Sequence, residues 1–373
     1  MQAGTVLTAL AMVYSIVALF AVHRPIGEVT VSSGDNLPIS VLKPLYGAEP
    51  ETYTCLRSFC DQSYPLFQIV FGVAEANDPV VSVVEQLQRE FPTIDIQLAV
   101  DRRQHGSNRK VSNLINMMPL VRHDNLVIAD SDVWVPKDYL ANLIAPLTHN
   151  DVGVVTCTYR GRPRRGRWSV LGTMFINGWF LPSVRVAASA GSRSFAFGAT
   201  IGIRREVLSS IGGFKAIKDH LADDYRLGEL TRGAGLRTVL SPMVVDTVVT
   251  ETSFKQLARH ELRWLRTIRA VNPLGYCFSA VTFGFPIAVI GSVSARESLA
   301  TLGMLAVTSV VRSLLHIHMR RLDEPKWYVL LAPARDTLSL ALWACSFRTR
   351  RVQWRDSHFD VARDGSARLV ESV

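Results

Sequence analysis

The chain has five cysteines, Cys55, Cys60, Cys157, Cys277 and Cys345. Their odd number and the lack of any Cys-x-x-Cys spacing argue against a disulfide framework and a zinc site. No Gly-x-Gly-x-x-Gly follows a strand-like run, and Gly106-Ser107-Asn108-Arg109-Lys110 is not a Walker-type phosphate loop, so NAD and ATP lose ground. Charge is scarce, at 20% of 373 residues against 48% hydrophobic. That balance excludes disorder and collagen-like repeats, and it disfavours an ordinary soluble enzyme. Charge is absent altogether from Met1 to Val22. What charge there is leans basic, with 41 Lys plus Arg against 32 Asp plus Glu and a net +9. The protein should therefore prefer anionic surroundings such as headgroups, nucleotides or nucleic acid.

The uncharged start is long enough for an uncleaved membrane anchor, since about 20 helical residues cross a ~30 Å hydrocarbon core. His23 and Arg24 follow the anchor, so the positive-inside rule puts the next domain in the cytoplasm. The signal returns near the other end. Ala270 to Ala295 is uncharged, Ser298 to Val311 is apolar, and Trp327 to Phe347 is apolar apart from Arg335 and Asp336. Gly284 and Pro286 break the first of these, so a hairpin or re-entrant pair competes with separate crossings. Arg335 and Asp336 should be paired or turned toward protein or headgroups, because lone charges in lipid are costly.

Between these ends, short apolar runs alternate with helical patterns, the signature of an α/β domain with a mostly parallel sheet. Ile39 to Leu45, Gln68 to Val73, Ile94 to Val100, Asn125 to Ala129, Val152 to Tyr159, Phe195 to Ile203 and Leu236 to Leu240 read as strands. Glu49 to Cys60, Asp78 to Phe91, Arg109 to Met118 and Lys137 to Leu147 read as helices. Ligands of such a sheet bind at the carboxyl ends of strands. Asp130-Ser131-Asp132 leaves one of these strands and can present two carboxylates to a hard divalent cation, although a solvated strand end has the same sequence. Asp223 and Asp224 precede a helical stretch, where acids are also ordinary caps. His260-Glu261-Leu262-Arg263-Trp264, followed by Arg266 and Arg269, clusters guanidinium groups able to grip a diphosphate, or else forms a basic interfacial helix.

In order, these pieces resemble a family A glycosyltransferase, and more narrowly the ceramide glucosyltransferase family of membrane-bound inverting enzymes. The resemblance runs through Val41-Leu42-Lys43-Pro44-Leu45-Tyr46-Gly47, Asn77-Asp78-Pro79, Gly106 to Leu114, Asp130-Ser131-Asp132 and Ala222 to Tyr225. It continues through Arg263-Trp264 to Arg335-Asp336, Trp343 and Val352-Gln353-Trp354-Arg355. The wording of His105 to Asn116 is similar to the hopanoid-biosynthesis-associated glycosyltransferases of bacteria. Two positions depart from the family pattern: Glu75 stands where Asp is usual, and His260 where Gln or Arg opens the Arg-Trp motif.

The resemblance implies a Rossmann-like α/β catalytic domain at 37–269, an anchor at 1–24, membrane-associated helices at 270–347 and a tail at 348–373. It implies transfer of a sugar, N-acetylglucosamine on the hopanoid-associated likeness, from a UDP-sugar to a hopanoid hydroxyl, with UDP-glucose and ceramide as the alternative. Asp130 and Asp132 would hold Mg²⁺ or Mn²⁺. Lys43, Pro44, Leu45, Gly47, Glu75, Lys110, Asp130, His260, Arg263 and Trp264 would bind the donor. Asp224 would be the general base, with Asp223 its local alternative. The expected partners are the UDP-sugar, a lipid acceptor and a bacterial cytoplasmic membrane, with no nucleic acid. The stretch from Trp168 to Val186, after the basic Arg160 to Arg167, reads as an interfacial helix or as core. A transporter or scaffold with a decayed nucleotide domain is the rival from another class, and retention of every acidic site argues against it.

Overall fold

Strand-forming runs buried on both faces make the centre of the molecule, because a parallel sheet covered by helices has no solvent side. The computed structural model describes residues 2–25, 37–321, 326–354, 357–362 and 365–372. Its main sheet contains β1 (Ile39–Pro44), β2 (Phe67–Val73), β3 (Asp95–Val100), β4 (Asn125–Ala129), β5 (Val133–Trp134), β6 (Val152–Pro163), β7 (Thr200–Arg204) and β8 (Arg237–Val249). The order is β3-β2-β1-β4-β7-β6-β8-β5. Strands β3, β2, β1 and β4 run parallel, while β7 is antiparallel to both β4 and β6. Side-chain alternation on β1 sends Val41 into one layer, with Leu56, Phe59, Val84 and Leu143, and Leu42 into the other, with Leu114, Met117 and Leu208. At about 1.5–3 kcal/mol for each fully buried aliphatic or phenyl side chain, these two layers dominate the stability of the domain.

All seven strands expected from sequence are present, Asn125 to Ala129 with its bounds unchanged and the other six with shifted ends. The strand expected over Phe195 to Ile203 begins only at Thr200, and β6 and β8 run on to Pro163 and Val249. The extension of β6 and β8 comes from their pairing over that whole length, with register shifts between Val152 and Val154 and between Cys157 and Thr158. The two-residue β5 is too short to leave a periodic signal and exists because Val133 pairs with Thr247.

Helices Gln2–Ala21 and Leu299–Met319 are long and apolar enough to cross a membrane, and Pro273–Thr282 with Gly284–Ser294 forms a pair bent by 76°. The first helix turns its small residues Gly4, Thr8, Ala11, Ser15 and Ala18 inward and leaves Val6, Leu10, Val13, Val17 and Phe20 exposed. Small residues let backbones approach closely in lipid. A Cβ on Gly4 would meet the carbonyl oxygen of Gly291 at 2.5 Å.

The stretch from Trp168 to Val186 lies inside the protein. It folds as Arg167–Phe175, one π-helical segment Ile176–Phe180, and Leu181–Ser189. Phe175 and Trp179 pack with Leu265, Tyr276, Phe283 and Ala11, so this stretch is the joint between the sheet domain and the membrane helices. The segment read as a tail forms a small antiparallel sheet instead, from Arg351–Trp354, Ser357–Val361 and Ala367–Ser372. Arg355 lies outside the described residues.

Candidate active site

The topology aims the carboxyl ends of β1, β2, β3, β4 and β6 at one edge of the sheet, together with the amino end of the antiparallel β7. A cavity of about 930 Å³ opens there. Asp130 follows β4 directly, and its N–H donates to the Ala199 carbonyl, which ties it to the start of β7. Asp132 turns the chain into β5. Its carbonyl accepts from Val248 and its Oδ2 accepts from Thr247 Oγ1 at 2.8 Å. Burial, then the charge of Asp130, holds the Asp132 carboxyl above the ordinary aspartate value.

Lys110 lies in the first turn of helix Arg109–Met117. Asn108 caps that helix by accepting from the Val111 N–H, and its amide donates to the His220 carbonyl at 2.8 Å. This clamp brings Lys110 Nζ to 2.6 Å from Asp130 Oδ1 and 3.5 Å from Asp223 Oδ2. Asp223 and Asp224 open helix Asp223–Gly233, where the helix dipole favours carboxylates. Asp224 accepts from the Gly198 N–H at 2.6 Å and from the Tyr225 N–H at 2.8 Å. Glycine suits that approach, since a Cβ on residue 198 would sit 3.1 Å from Asp224 Oδ2. Burial, reinforced by the neighbouring Asp223 charge, lifts the Asp224 carboxyl to about 6.

Arg263 and Trp264 come from helix Phe254–Val271 on the opposite wall. Asp130, Asp132 and Asp224 all lie within electrostatic reach of the Arg263 guanidinium, and burial lowers its pKa. Among the described residues it makes no hydrogen bond or ion pair. His260 bonds Glu251 through Nδ1 and meets the Trp264 ring edge-on at 4.7 Å. Burial pulls the Glu251 carboxyl up, but the hydrogen bond and charge of His260 outweigh it, and the group sits below the ordinary glutamate value. Glu75 lines the mouth and pairs with Arg102.

Of the expected donor residues, Pro44, Leu45, Glu75, Lys110, Asp130, His260, Arg263 and Trp264 line the cavity together with Asp132, Asp223 and Asp224. Lys43 and Gly47 are not among its lining residues. Lys43 is fully buried over the Phe59 ring, 3.5 Å from its centroid, and its Nζ donates to the Asp130 carbonyl at 2.7 Å. It supports Asp130 from behind, and burial lowers its ammonium to about 7. The Gly47 N–H donates to both Asp78 carboxylate oxygens at 3.0 Å, which binds the loop after β1 to the loop after β2. Tyr159, Thr247, Asn108 and Glu251 were missed. Tyr159 stands near the point where β6 passes the sheet edge, and Asn108 is a plain helix cap, so the strand-end and capping rules contained both.

Among the described residues no group of three or more His, Cys, Asp or Glu is placed to hold a metal ion. The donor set at Asp130 and Asp132 is two hard carboxylate oxygens around charge that is only partly compensated. That set fits a divalent cation with its remaining positions free for other oxygen ligands.

Over 257 residues the chain is 22% identical to ceramide glucosyltransferase 3 of Caenorhabditis elegans, covering 66% of this chain and 56% of that protein. Over 157 residues it is 30% identical to the ceramide glucosyltransferase of Komagataella phaffii, covering 39% of this chain and 31% of that protein. The chain thus spans from about a third to about half the length of these relatives. In fold it is similar to the mannosyltransferase PcManGT from Pyrobaculum calidifontis, solved with GDP-Man and Mn²⁺, at 19% identity and a TM-score of 0.54 over 93% of this chain and 97% of that one. The family model described as Glycosyl transferase family 21 matches residues 3–367. Because that match runs from helix Gln2–Ala21 to the small carboxyl-terminal sheet and so takes in nearly the whole chain, the chain belongs to glycosyl transferase family 21.

Proposed function

We propose that this protein is an inverting membrane glycosyltransferase that moves a sugar from a UDP-sugar to a lipid hydroxyl. The observation that carries the reading is the continuity of one cavity. It begins at Asp130, Asp132, Asp223 and Asp224 and extends along Phe175, Trp179 and Phe180, which pack against the membrane helices. A soluble donor and an amphiphilic acceptor need such a two-ended site.

Asp130 and Asp132 would hold Mg²⁺ or Mn²⁺, which when bound neutralises charge on the diphosphate. Arg263, whose guanidinium has no partner among the described residues, binds the diphosphate from the other wall. The acceptor oxygen attacks the anomeric carbon of the sugar while the bond from that carbon to the diphosphate oxygen breaks. Asp224 takes the hydroxyl proton, and one displacement inverts the configuration. A carboxyl at about 6 is largely ionised at neutral pH and still a useful base. Glu75 accepts hydrogen bonds from the nucleoside at the cavity mouth. His260 holds Trp264 over the donor.

The donor in this reading is UDP-N-acetylglucosamine and the acceptor a hopanoid such as bacteriohopanetetrol. The similarity of His105 to Asn116 to the hopanoid-associated enzymes supports it, and with it a bacterial cytoplasmic membrane with the catalytic domain facing the cytoplasm. The names of the curated relatives favour a second reading, transfer from UDP-glucose to ceramide. Membranes containing the full chain, offered UDP-glucose, UDP-galactose or UDP-N-acetylglucosamine with ceramide or bacteriohopanetetrol, decide between them by mass spectrometry of the lipid. N-acetylhexosaminyl hopanoid is expected. Hexosylceramide alone would establish the second reading, and an unmodified lipid in every combination would remove both.

A further inference from the structure

Inside the cavity, away from the aspartates, a second polar cluster has hydrogen-bonding capacity left over. Glu251 and Glu261 both line the cavity and are only 8% and 3% exposed. One oxygen of each is engaged, Glu251 Oε1 by His260 and Glu261 Oε2 by Arg335 at 2.5 Å. The other oxygen of each, Glu251 Oε2 and Glu261 Oε1, is buried with no partner among the described residues. So are Arg335 Nε and Nη1 and Thr173 Oγ1, on residues 1% exposed. Arg335 lies over the Phe175 ring, 5.2 Å from its centroid, and Phe175 is itself a wall of the cavity.

Five polar atoms without a partner among the described residues, two of them on cavity-lining carboxylates and three on the buried side chains Arg335 and Thr173, are costly to leave empty, at about 1–3 kcal/mol or more each. Structural ion pairs of this burial normally satisfy their remaining oxygens and protons. The position is also telling. Thr247 bonds Asp132, and Glu251 is four residues further along the same chain, so their Cα atoms are at most about 14 Å apart. That bounds the cluster to the same cavity as the aspartates, within the reach of one amphiphilic ligand head, and Phe175, over which Arg335 lies, lines that cavity too.

We infer that Glu251 and Glu261, backed by Arg335 and Thr173, form a subsite for the hydroxyl-bearing head of the lipid acceptor, with the free carboxylate oxygens accepting from hydroxyls next to the one that reacts. This rests on the reading of the protein as a lipid glycosyltransferase and adds to it a recognition element for a polyol over a simple alcohol.

The test uses the full chain in detergent micelles and a brominated long-chain vicinal diol, with its dimethyl ether as the control. Binding is read by quenching of Trp179 and Trp264. The diol is expected to bind about tenfold more tightly than the ether, the usual strength of a hydrogen bond to a charged group. Glu251→Gln should reduce that preference severalfold. Gly172→Ala, whose added Cβ would stand 2.8 Å from Val249 Cγ1 and 3.2 Å from Glu251 Oε2, should do so without removing a charge. UDP binding with Mn²⁺, measured in parallel, checks that each variant is folded and separates the two ideas. Loss of UDP binding in the wild-type chain would sink the donor reading whatever the diol does. Equal binding of diol and ether by the wild type, or a preference unchanged in both variants that still bind UDP, would overturn the subsite.

Discussion

Two sets of buried charge in this molecule are built from the same residue types and behave in opposite ways. In the helix bundle, Arg312 grips Asp336 bidentately at 2.7 and 2.5 Å, with the two side chains 3% and 4% exposed. At the sheet edge, Lys110 pairs with Asp130 and Asp223, while Asp130, Asp132 and Asp224 face an Arg263 guanidinium that touches none of them. The first arrangement closes on itself and answers the cost of charge in an apolar setting. The second pairs Lys110 but leaves the Arg263 guanidinium apart from the carboxylates across a cavity, so part of its electrostatic demand is met only when a ligand enters. What separates the two sets is closure: the bundle pair satisfies both partners, and the sheet-edge cluster leaves one cation open.

The comparison breaks most visibly if the closed pair proves to be catalytic or the open cluster structural. The largest effect is expected from Asp224→Asn, because general base catalysis supplies about 10²- to 10⁴-fold. Turnover should fall by that order with donor affinity held within about threefold, read from initial rates against UDP-sugar binding. Near-normal turnover would make this carboxylate structural. Next, Asp336→Ala should destabilise the protein by about 3–5 kcal/mol, since it leaves Arg312 buried and unpaired. Thermal unfolding in detergent measures this, and replacing both partners with Leu and Met should restore much of the loss. Asp132→Ala should weaken Mn²⁺-dependent donor binding by about 10- to 100-fold, in line with losses at metal sites, while membrane insertion is unaffected. Unchanged affinity with Mn²⁺ would refute the metal assignment.

The smallest effect is a displaced pH profile. A base acts only when ionised, so turnover should rise with pH through an inflection near the Asp224 value of about 6 and level above it. Asp223→Asn removes the charge that helps keep that carboxyl protonated, so the acid limb should move to lower pH. A limb that stays in place or moves upward would show that Asp223 does not act on Asp224 through its charge.

The sequence was most legible where chemistry coincides with a strand end. Asp130 and Asp132 follow an apolar run that can only be a buried strand, and Asp223 and Asp224 mark a helix start. It was less legible where a residue acts through a tertiary partner. Lys43 sits in the motif at the end of β1, yet its side chain turns into the core over Phe59, which strand alternation permits but composition does not reveal. Glu251 looks like any acid before a helix until His260, nine residues on, is folded against it. The interior placement of Trp168 to Val186 was equally hidden, because an apolar helix face reads the same whether lipid or protein covers it. The pairing of Arg335 and Asp336 was foreseeable in kind, but not that their partners would be Glu261 and Arg312.

The contact between Gly4 and Gly291 has a consequence for how the protein is made. The whole main sheet lies between these two glycines in the chain, so the small-residue stripe of the first helix waits for this partner until the last third of the polypeptide is synthesised. At about 5–20 residues per second that wait lasts roughly 15–60 s. During it Gly4, Thr8, Ala11 and Ser15 lack the partner that covers them in the folded chain. The seam between the first helix and Gly284–Ser294 therefore closes only after every strand of the main sheet has been made.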